Sequence, residues 1–101
     1  MNQELLTFIE GMTETEKSLL LFFETQAVDQ GGRVFVRSMN DEDREIAKRW
    51  SAIDPFFVMF GRLSIKDCTE GRTHYVKFSE RAYEVAAILR KQRAERNFVY
   101  R

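Results

Sequence analysis

The chain has 101 residues, of which 44% are hydrophobic, and its 16 basic and 16 acidic side chains give a formal net charge of zero. This length predicts one domain over residues 1–101, large enough to fold around its own core. The single cysteine excludes an internal disulfide and is typical of a cytoplasmic protein. The balanced charge argues against a general polyanion binder, and the lack of a long apolar run argues against a membrane span.

The charged residues are unevenly distributed along the chain. Residues 1–50 hold 10 acidic and 6 basic side chains, whereas residues 51–101 hold 6 acidic and 10 basic ones. Much of the basic excess lies in residues 90–101, the predicted basic end of the last helix. We therefore expect a molecule with one negative and one positive end.

Two helices are predicted before the first strand. The first is predicted over residues 2–10, within an N-terminal helical extension of residues 1–12, and Gly11 is expected to end this helix in the left-handed conformation. Thr13 and Glu16 have the spacing of a capping box at the start of the second helix. Five consecutive apolar residues, LLLFF, favour a central, buried position for this helix, and Gly31-Gly32 is expected to end it.

A short strand and a third helix are predicted next. The β-branched and aromatic residues at 33–37 favour a strand. Asn40 can cap the following helix, whose acidic first turn suits the positive end of the helix dipole. We expect an ion pair between Glu45 and Arg49 and an end to the helix at Asp54-Pro55. The predicted apolar stripe of this helix consists of Ile46, Trp50 and Ile53.

A β-hairpin and a long helix complete the chain. Strands are predicted at 57–65 and 73–78, joined by a loop in which Gly71 can take a positive φ. Ser79 is expected to cap the last helix, with Phe78 and Tyr83 spaced as a hydrophobic staple. The first strand is expected to turn Phe57, Met59, Leu63 and Ile65 towards the core. The last helix is expected to bury Ala82, Val85, Ala86 and Leu89.

The predicted fold class is α+β, in the order α-α-β-α-β-β-α. Over residues 13–90 this order resembles the winged helix-turn-helix family, and the passage YVKFSERAYEVAAIL resembles the segment after the wing in bacterial MarR-type regulators. A standard winged helix has two helices between its first strand and its wing, whereas residues 38–56 leave room for one helix and a single turn. The helix in the recognition position opens with NDEDRE, and DNA phosphates would repel its acids. The expected fold is therefore a degenerate winged helix.

Catalysis is not expected. Cys68 and His74 could approach each other across the hairpin, but a nucleophile and base need an orienting third group and an oxyanion site. We interpret them as a loop cysteine and a strand histidine. The acidic run 41–43 lacks the pattern of a calcium loop, and no set of metal ligands has suitable spacing. We expect no metal and no cofactor.

The resemblance implies a small nucleic-acid-binding or regulatory protein of transcription, with DNA as its partner. Arg and Lys neutralise phosphates, and Tyr can hydrogen-bond to them, so the outer face of the hairpin and the last helix are the candidate surface. An ordinary charged, solvent-exposed face is the alternative. The predicted nucleic-acid-binding residues are Arg62, Lys66, Arg72, Tyr75 and Lys77 of the hairpin and Arg90, Lys91 and Arg93 of the last helix.

A second hypothesis is a non-enzymatic protein-interaction module. In its size the chain also resembles small phage and mobile-element proteins, which can inhibit a host nucleoprotein complex by presenting acids to its basic groove. The apolar segments 56–60 and 98–101 favour either packing within the chain or a homodimer through the terminal helices. The residues that would bind a host protein are Asp41, Glu42, Asp43 and Glu45.

Overall fold

The computed structural model describes residues 3–99, and the side chains of residues 3–95. The predicted α+β class is confirmed: this part of the chain forms four α-helices and one three-stranded antiparallel sheet with strand order β1-β3-β2. Two single-turn 3₁₀ helices, Val36–Ser38 and Ile65–Asp67, interrupt the connections. The helices are α1 (Gln3–Glu10), α2 (Glu14–Asp29), α3 (Asp41–Ala52) and α4 (Glu80–Val99), and the strands are β1 (Arg33–Val34), β2 (Val58–Arg62) and β3 (His74–Phe78).

Capping boxes begin both α2 and α3. The Thr13 hydroxyl accepts from the backbone N–H of Glu16 (3.1 Å), and the Glu16 carboxylate accepts from the N–H of Thr13 (3.0 Å), as predicted. Asn40 and Asp43 form the same reciprocal pair at α3 (2.8 and 3.1 Å). These bonds satisfy backbone donors that have no partner inside the helix. One carboxylate of the acidic run, that of Asp43, therefore serves the backbone.

Glycine conformations agree with the prediction at one helix end and differ at another. Gly31 and Gly32 follow α2 with φ of 60° and 83°, a region that favours glycine. The prediction for Gly11 was wrong, because its φ is not positive. Its N–H instead bonds to the carbonyls of Thr7 and Phe8, both at 3.2 Å, and so continues the pattern of the last helical turn.

The first strand is shorter than the predicted segment 33–37. Arg33 pairs with Tyr75 and Val34 with His74, the first residue of β3. Beyond Val34 the chain therefore has no strand partner in this sheet. It turns into the 3₁₀ helix Val36–Ser38, which leads directly to the cap of α3.

The hairpin register reverses the predicted faces of β2. Cross-strand partners share a face of a sheet, so Arg62 lies on the face of its partner His74, whereas Tyr75 and Lys77 lie on the other. The predictions that Arg62 shares a face with Tyr75 and Lys77, and that Met59 and Ile65 point into the core, were wrong. Ile65 is 94% exposed, because β2 ends at Arg62 and Ile65 begins a 3₁₀ turn.

Helices α2 and α4 and the inner face of the sheet form the core. Leu20 and Phe23 of α2 are fully buried, which confirms the predicted central position of this helix. The predicted stripe of α4 is confirmed, and the Phe78 and Tyr83 rings pack 4.9 Å apart as the expected staple. Ile53 is 49% exposed, contrary to prediction, because α3 ends at Ala52. The buried residues of α3 are Ile46, Ala47 and Trp50, and those of α4 include Ala82, Val85, Ala86 and Leu89.

Helix α1 covers part of the aromatic segment before β2. The rings of Phe8 and Phe57 lie 5.2 Å apart, and Phe57 is buried. Packing within the chain therefore accounts for this part of the predicted apolar segment. The side chains of residues 96–101, which include the predicted aromatic end, lie outside the described residues. No helix among residues 3–99 has the length and apolar content needed to cross a membrane.

Helix α3 runs along β2, which is an edge strand of the sheet. The backbone N–H of Phe60 donates to the Ser51 hydroxyl oxygen (2.9 Å), and this hydroxyl lies within bonding distance of the carbonyls of Ala47 (2.9 Å) and Val58 (3.2 Å). The N–H of Phe57 donates to the carbonyl of Trp50 (3.2 Å). An edge strand has unpaired backbone groups. Ser51 accepts from one of them, the N–H of Phe60, and its single proton is shared between the carbonyls of Ala47 and Val58, which fixes α3 against β2.

The predicted Glu45–Arg49 pair does not form. Arg49 instead donates to Glu16 of α2 (3.2 Å), and Glu45 lies 3.9 Å from Lys48. The cross-helix partner is available to Arg49 because the capping box holds Glu16 at the start of α2, within reach of α3.

Replacing Ser51 with alanine should lower the free energy of unfolding by about 1–2 kcal/mol, because the N–H of Phe60 would lose its acceptor. Urea unfolding followed by circular dichroism measures this change. Ser38→Ala is the matched control, since the Ser38 side chain is exposed, and it should change stability little. Equal stability of the two variants would contradict the role assigned to Ser51.

Candidate functional site

A basic groove lies between α3 and the β2–β3 hairpin. Its volume is about 380 Å³. Among the described residues, three cationic side chains, one imidazole and two apolar side chains line it, without a carboxylate. These lining residues are Val36, Arg44, Lys48, Phe60, Arg62 and His74.

Helix α3 contributes Arg44 and Lys48 to one wall. The two residues are four positions apart and therefore lie on the same side of the helix. The bonds from Ser51 to β2 hold that side against the hairpin. Arg62, at the end of β2, adds a third cation from the opposite wall.

Stacked rings form part of the hairpin wall. The His74 imidazole stacks on Phe60 with centroids 5.1 Å apart and an interplanar angle of 13°. Phe60 in turn stacks on the buried ring of Phe23, at 5.7 Å and 24°. The Thr73 hydroxyl and His74 Nδ1 are hydrogen-bonded at 2.9 Å. The imidazole therefore has a fixed plane.

The surroundings of His74 favour its neutral form. Burial lowers the pKa of His74 below its ordinary value of 6.5, and the positive charges of Arg62 and Arg44 lower it further. A bound anion would oppose the two arginine charges and raise the pKa. Protonation of His74 and occupation of the groove by an anion would therefore favour each other.

Glu45 lies close to a lysine of the groove. Glu45 is 3.9 Å from Lys48, and the two side chains are 77% and 76% exposed. A pair so exposed contributes little energy, so Lys48 stays available to a stronger anionic partner. Of the other predicted acidic residues, Asp41 and Glu42 are exposed, and Asp43 completes the cap of α3.

Among the predicted phosphate-binding residues, Arg72 forms hydrogen bonds within the fold. It is half-buried, and its guanidinium donates to the side-chain oxygen of Gln26 and to the carbonyl of Arg33 (3.0 Å). Gln26 is buried on α2. Arg72 thereby ties the loop of the hairpin to α2 and β1.

The predicted basic residues of α4 also contact α2. Arg90 donates to Glu24 and to the Thr25 hydroxyl (3.3 Å), and Arg93 donates to the Ser18 hydroxyl (3.2 Å). These contacts fasten α4 along α2. Lys91 is exposed on the same helix.

The remaining predicted residues of the hairpin are distributed over separate surfaces. Lys66 is exposed in the second 3₁₀ turn. Tyr75 and Lys77 lie on the sheet face opposite Arg62, and the Tyr75 ring covers Gly61, where an added Cβ would meet it at 2.7 Å. Of the eight predicted residues, Arg62 is the one that lines the groove.

Sequence reasoning missed Arg44 and Lys48. Their i,i+4 spacing on the helix before the hairpin was an available signal, but Arg44 lies among four acidic residues in the sequence, a pattern that favours an acidic surface. Sequence reasoning also assigned no role to His74.

The Cys68 thiol donates to the carbonyl of Ser64 (3.4 Å). Within the described part of the chain, no three His, Cys, Asp or Glu side chains are grouped as a metal site requires.

Comparisons with known proteins add no relative. A scan against protein-family models, a search of curated proteins and a search of solved structures each found no match to this chain. The geometry and charge of the groove therefore carry the functional proposal.

Replacing Arg72 with methionine should lower the free energy of unfolding by about 1–3 kcal/mol, since it leaves the buried Gln26 oxygen and the Arg33 carbonyl without their donor. Lys66→Met, an equal loss of charge at an exposed position of the same hairpin, is the control and should be nearly neutral. Urea unfolding compares the two. If both variants retain full stability, Arg72 is not a structural tie.

Proposed function

We propose that this chain is a small nucleic-acid-binding protein with a winged-helix-like arrangement, and that it contacts phosphates through the basic groove. The observation that carries the proposal is the convergence of Arg44, Lys48, Arg62 and His74 on one groove. Phosphate contacts from Arg and Lys supply most of the affinity of non-specific nucleic-acid binding.

The order of elements supports the winged-helix-like arrangement. After β1 come a single 3₁₀ turn, Val36–Ser38, then α3 and the hairpin. The turn stands where a standard winged helix has the first of its two helices, and α3 stands where the recognition helix would lie. The basic groove is then the space between the recognition helix and the wing.

Each groove residue has a chemical role in this proposal. The guanidinium groups of Arg44 and Arg62 suit paired hydrogen bonds to phosphate oxygens. Lys48 adds a point charge that can leave its exposed pair with Glu45. His74 gains a second donor when it is protonated. These contacts recognise the backbone of a nucleic acid and do not read its sequence.

The exposed acids of α3 limit the strength of binding. Asp41, Glu42 and Glu45 are on the same helix as Arg44 and Lys48, and a phosphate would be repelled by each of them. We therefore expect weak, salt-dependent binding. The alternative function, a protein-interaction module that uses these acids, stays a prediction and would gain support if no nucleic acid bound.

Fluorescence anisotropy of labelled random-sequence oligonucleotides, titrated at about 50 mM and about 200 mM salt, tests the proposal. Three phosphate contacts predict a slope of log K against log salt of about −2.7 for a duplex, roughly a 40-fold loss of affinity between the two conditions. For a single strand they predict a slope of about −2.1, roughly a 20-fold loss. Absence of binding at low salt, at protein concentrations of tens of micromolar, would refute the proposal.

Charge variants locate the contacts. Arg62→Gln and Lys48→Gln should each weaken binding and reduce the salt slope by about 1. Glu45→Gln should strengthen binding because it removes a repulsive charge. Lys77→Gln and Lys91→Gln carry equal losses of charge on other surfaces and should have little effect. If the control variants weaken binding as much as the groove variants, the groove is not the site.

Binding to the oligonucleotide should tighten as the pH falls from about 7.5 to about 5.5, because a bound phosphate raises the pKa of His74 and so favours its protonated form. His74→Gln should remove this dependence. Anisotropy at low salt across this range is the measurement, and an unchanged pH profile in the variant would argue against the role of His74.

A fall in pH strengthens binding through His74 but lowers the folding stability that neutral His74 contributes. The folded-state pKa of His74 is lower than 6.5, so the unfolded chain binds the proton more readily. The stability contributed by neutral His74 is complete above pH 6.5 and is lost as the pH falls through the folded-state pKa. Circular dichroism at the lowest pH verifies that the chain is folded while binding is measured.

A further inference from the structure

The groove combines an apolar, flat-sided interior with a cationic rim. The interior is formed by Val36, Phe60 and His74. The cationic rim is formed by Arg44, Lys48 and Arg62. A ligand that matches both features has a planar apolar part and an attached anionic part. Phosphate contacts alone would use the cations and leave the imidazole face without a ligand contact.

We propose that the groove receives one unpaired nucleotide of a single-stranded nucleic acid, with its base against the His74–Phe60 stack and its phosphates on the cationic rim. This inference rests on the proposed function and names the form of nucleic acid that the same site takes. Bases of a duplex are stacked on one another and present only their edges, so the flat rings in the groove could not be used by paired DNA.

The arrangement of the three stacked rings is suited to stacking against a nucleotide base. Three rings, those of Phe23, Phe60 and His74, follow one another from the core to the groove. The buried member fixes the other two, and Thr73 holds the imidazole in its plane. A platform that is ordered before binding loses little conformational entropy when a base is placed on it. Base–aromatic contacts are also tolerant of sequence, because every base has a π-face.

The electrostatics of the imidazole are consistent with this use. Burial and the nearby guanidinium groups of Arg62 and Arg44 lower the pKa of His74, so near pH 7 its ring is neutral. The charged groups that face it come from both walls of the groove, Arg44 and Lys48 on α3 and Arg62 on β2. These cations stay on the rim for the phosphates on either side of the base.

The test compares three labelled probes of equal length at low salt: a single strand of thymidines, the same backbone with abasic residues, and a duplex. A stacked base contributes roughly 5- to 150-fold in affinity, so the thymidine strand should bind at least about fivefold more tightly than the abasic strand and also more tightly than the duplex. A free thymidine monophosphate serves as a fourth probe, and it should bind far more weakly than the strand.

Variants at position 74 separate stacking from charge. His74→Ala should abolish the difference between the thymidine and abasic strands. His74→Phe keeps a ring against Phe60 and should preserve that difference, while losing the pH dependence of binding. Since this is the only histidine of the chain, its carbon-bound ring protons are a single NMR probe in the unmodified protein, and a stacked base should shift them upfield.

The outcomes distinguish the two proposals. Equal affinity for thymidine and abasic strands, with salt dependence retained, would overturn the stacked nucleotide and leave phosphate binding intact. A duplex that binds as tightly as the single strand would also overturn it. Equal occupancy by free thymidine monophosphate and by the strand would assign the groove to a free nucleotide and refute a strand site. If no probe binds, both proposals fail.

Discussion

The groove depends on one buried ring. Phe23 is fully buried on α2, its ring stacks on Phe60 of β2, and Trp50 of α3 meets it edge-on with centroids 6.5 Å apart. Helices α2 and α3 and strand β2 therefore meet at the side chain of Phe23. Because interiors are close-packed, the position of Phe23 fixes that of Phe60, and Phe60 fixes His74. The shape of an open surface feature is set from the centre of the core.

The two parts of the groove differ in how firmly they are held. The stacked rings are anchored to the core, and Ser51 locks the backbone of α3 to that of β2. The cationic side chains of Arg44, Lys48 and Arg62 are exposed and long, so each loses rotamer freedom when it binds an anion. A fixed interior with an adaptable rim favours recognition of a flat group over recognition of one rigid arrangement of charges.

Sequence reasoning succeeded where the determining contacts are local. The capping box of α2 and the glycine end of that helix depend on residues at most a few positions apart, and both were predicted. It failed where distant partners decide. The apolar run at 56–60 shows no alternation, so only pairing with β3 identifies the inner face of β2. Likewise the sequence predicts Arg72 and Arg90 as cations free to bind phosphate. Their partners Gln26 and Glu24 lie 46 and 66 residues away along the chain.

The zero net charge of the chain does not exclude an anion site, because several of the acids are paired away from the groove. Glu16 serves a cap and Arg49, and Glu24 pairs with Arg90. Within the described residues, Arg44 and Arg62 form no ion pair. Charges farther apart than about 8–10 Å are largely screened at physiological salt, so a ligand in the groove responds to its immediate neighbours and not to the total. The total charge of a sequence is therefore a weak guide to its partners, whereas the pairing of each charge in the fold is a strong one.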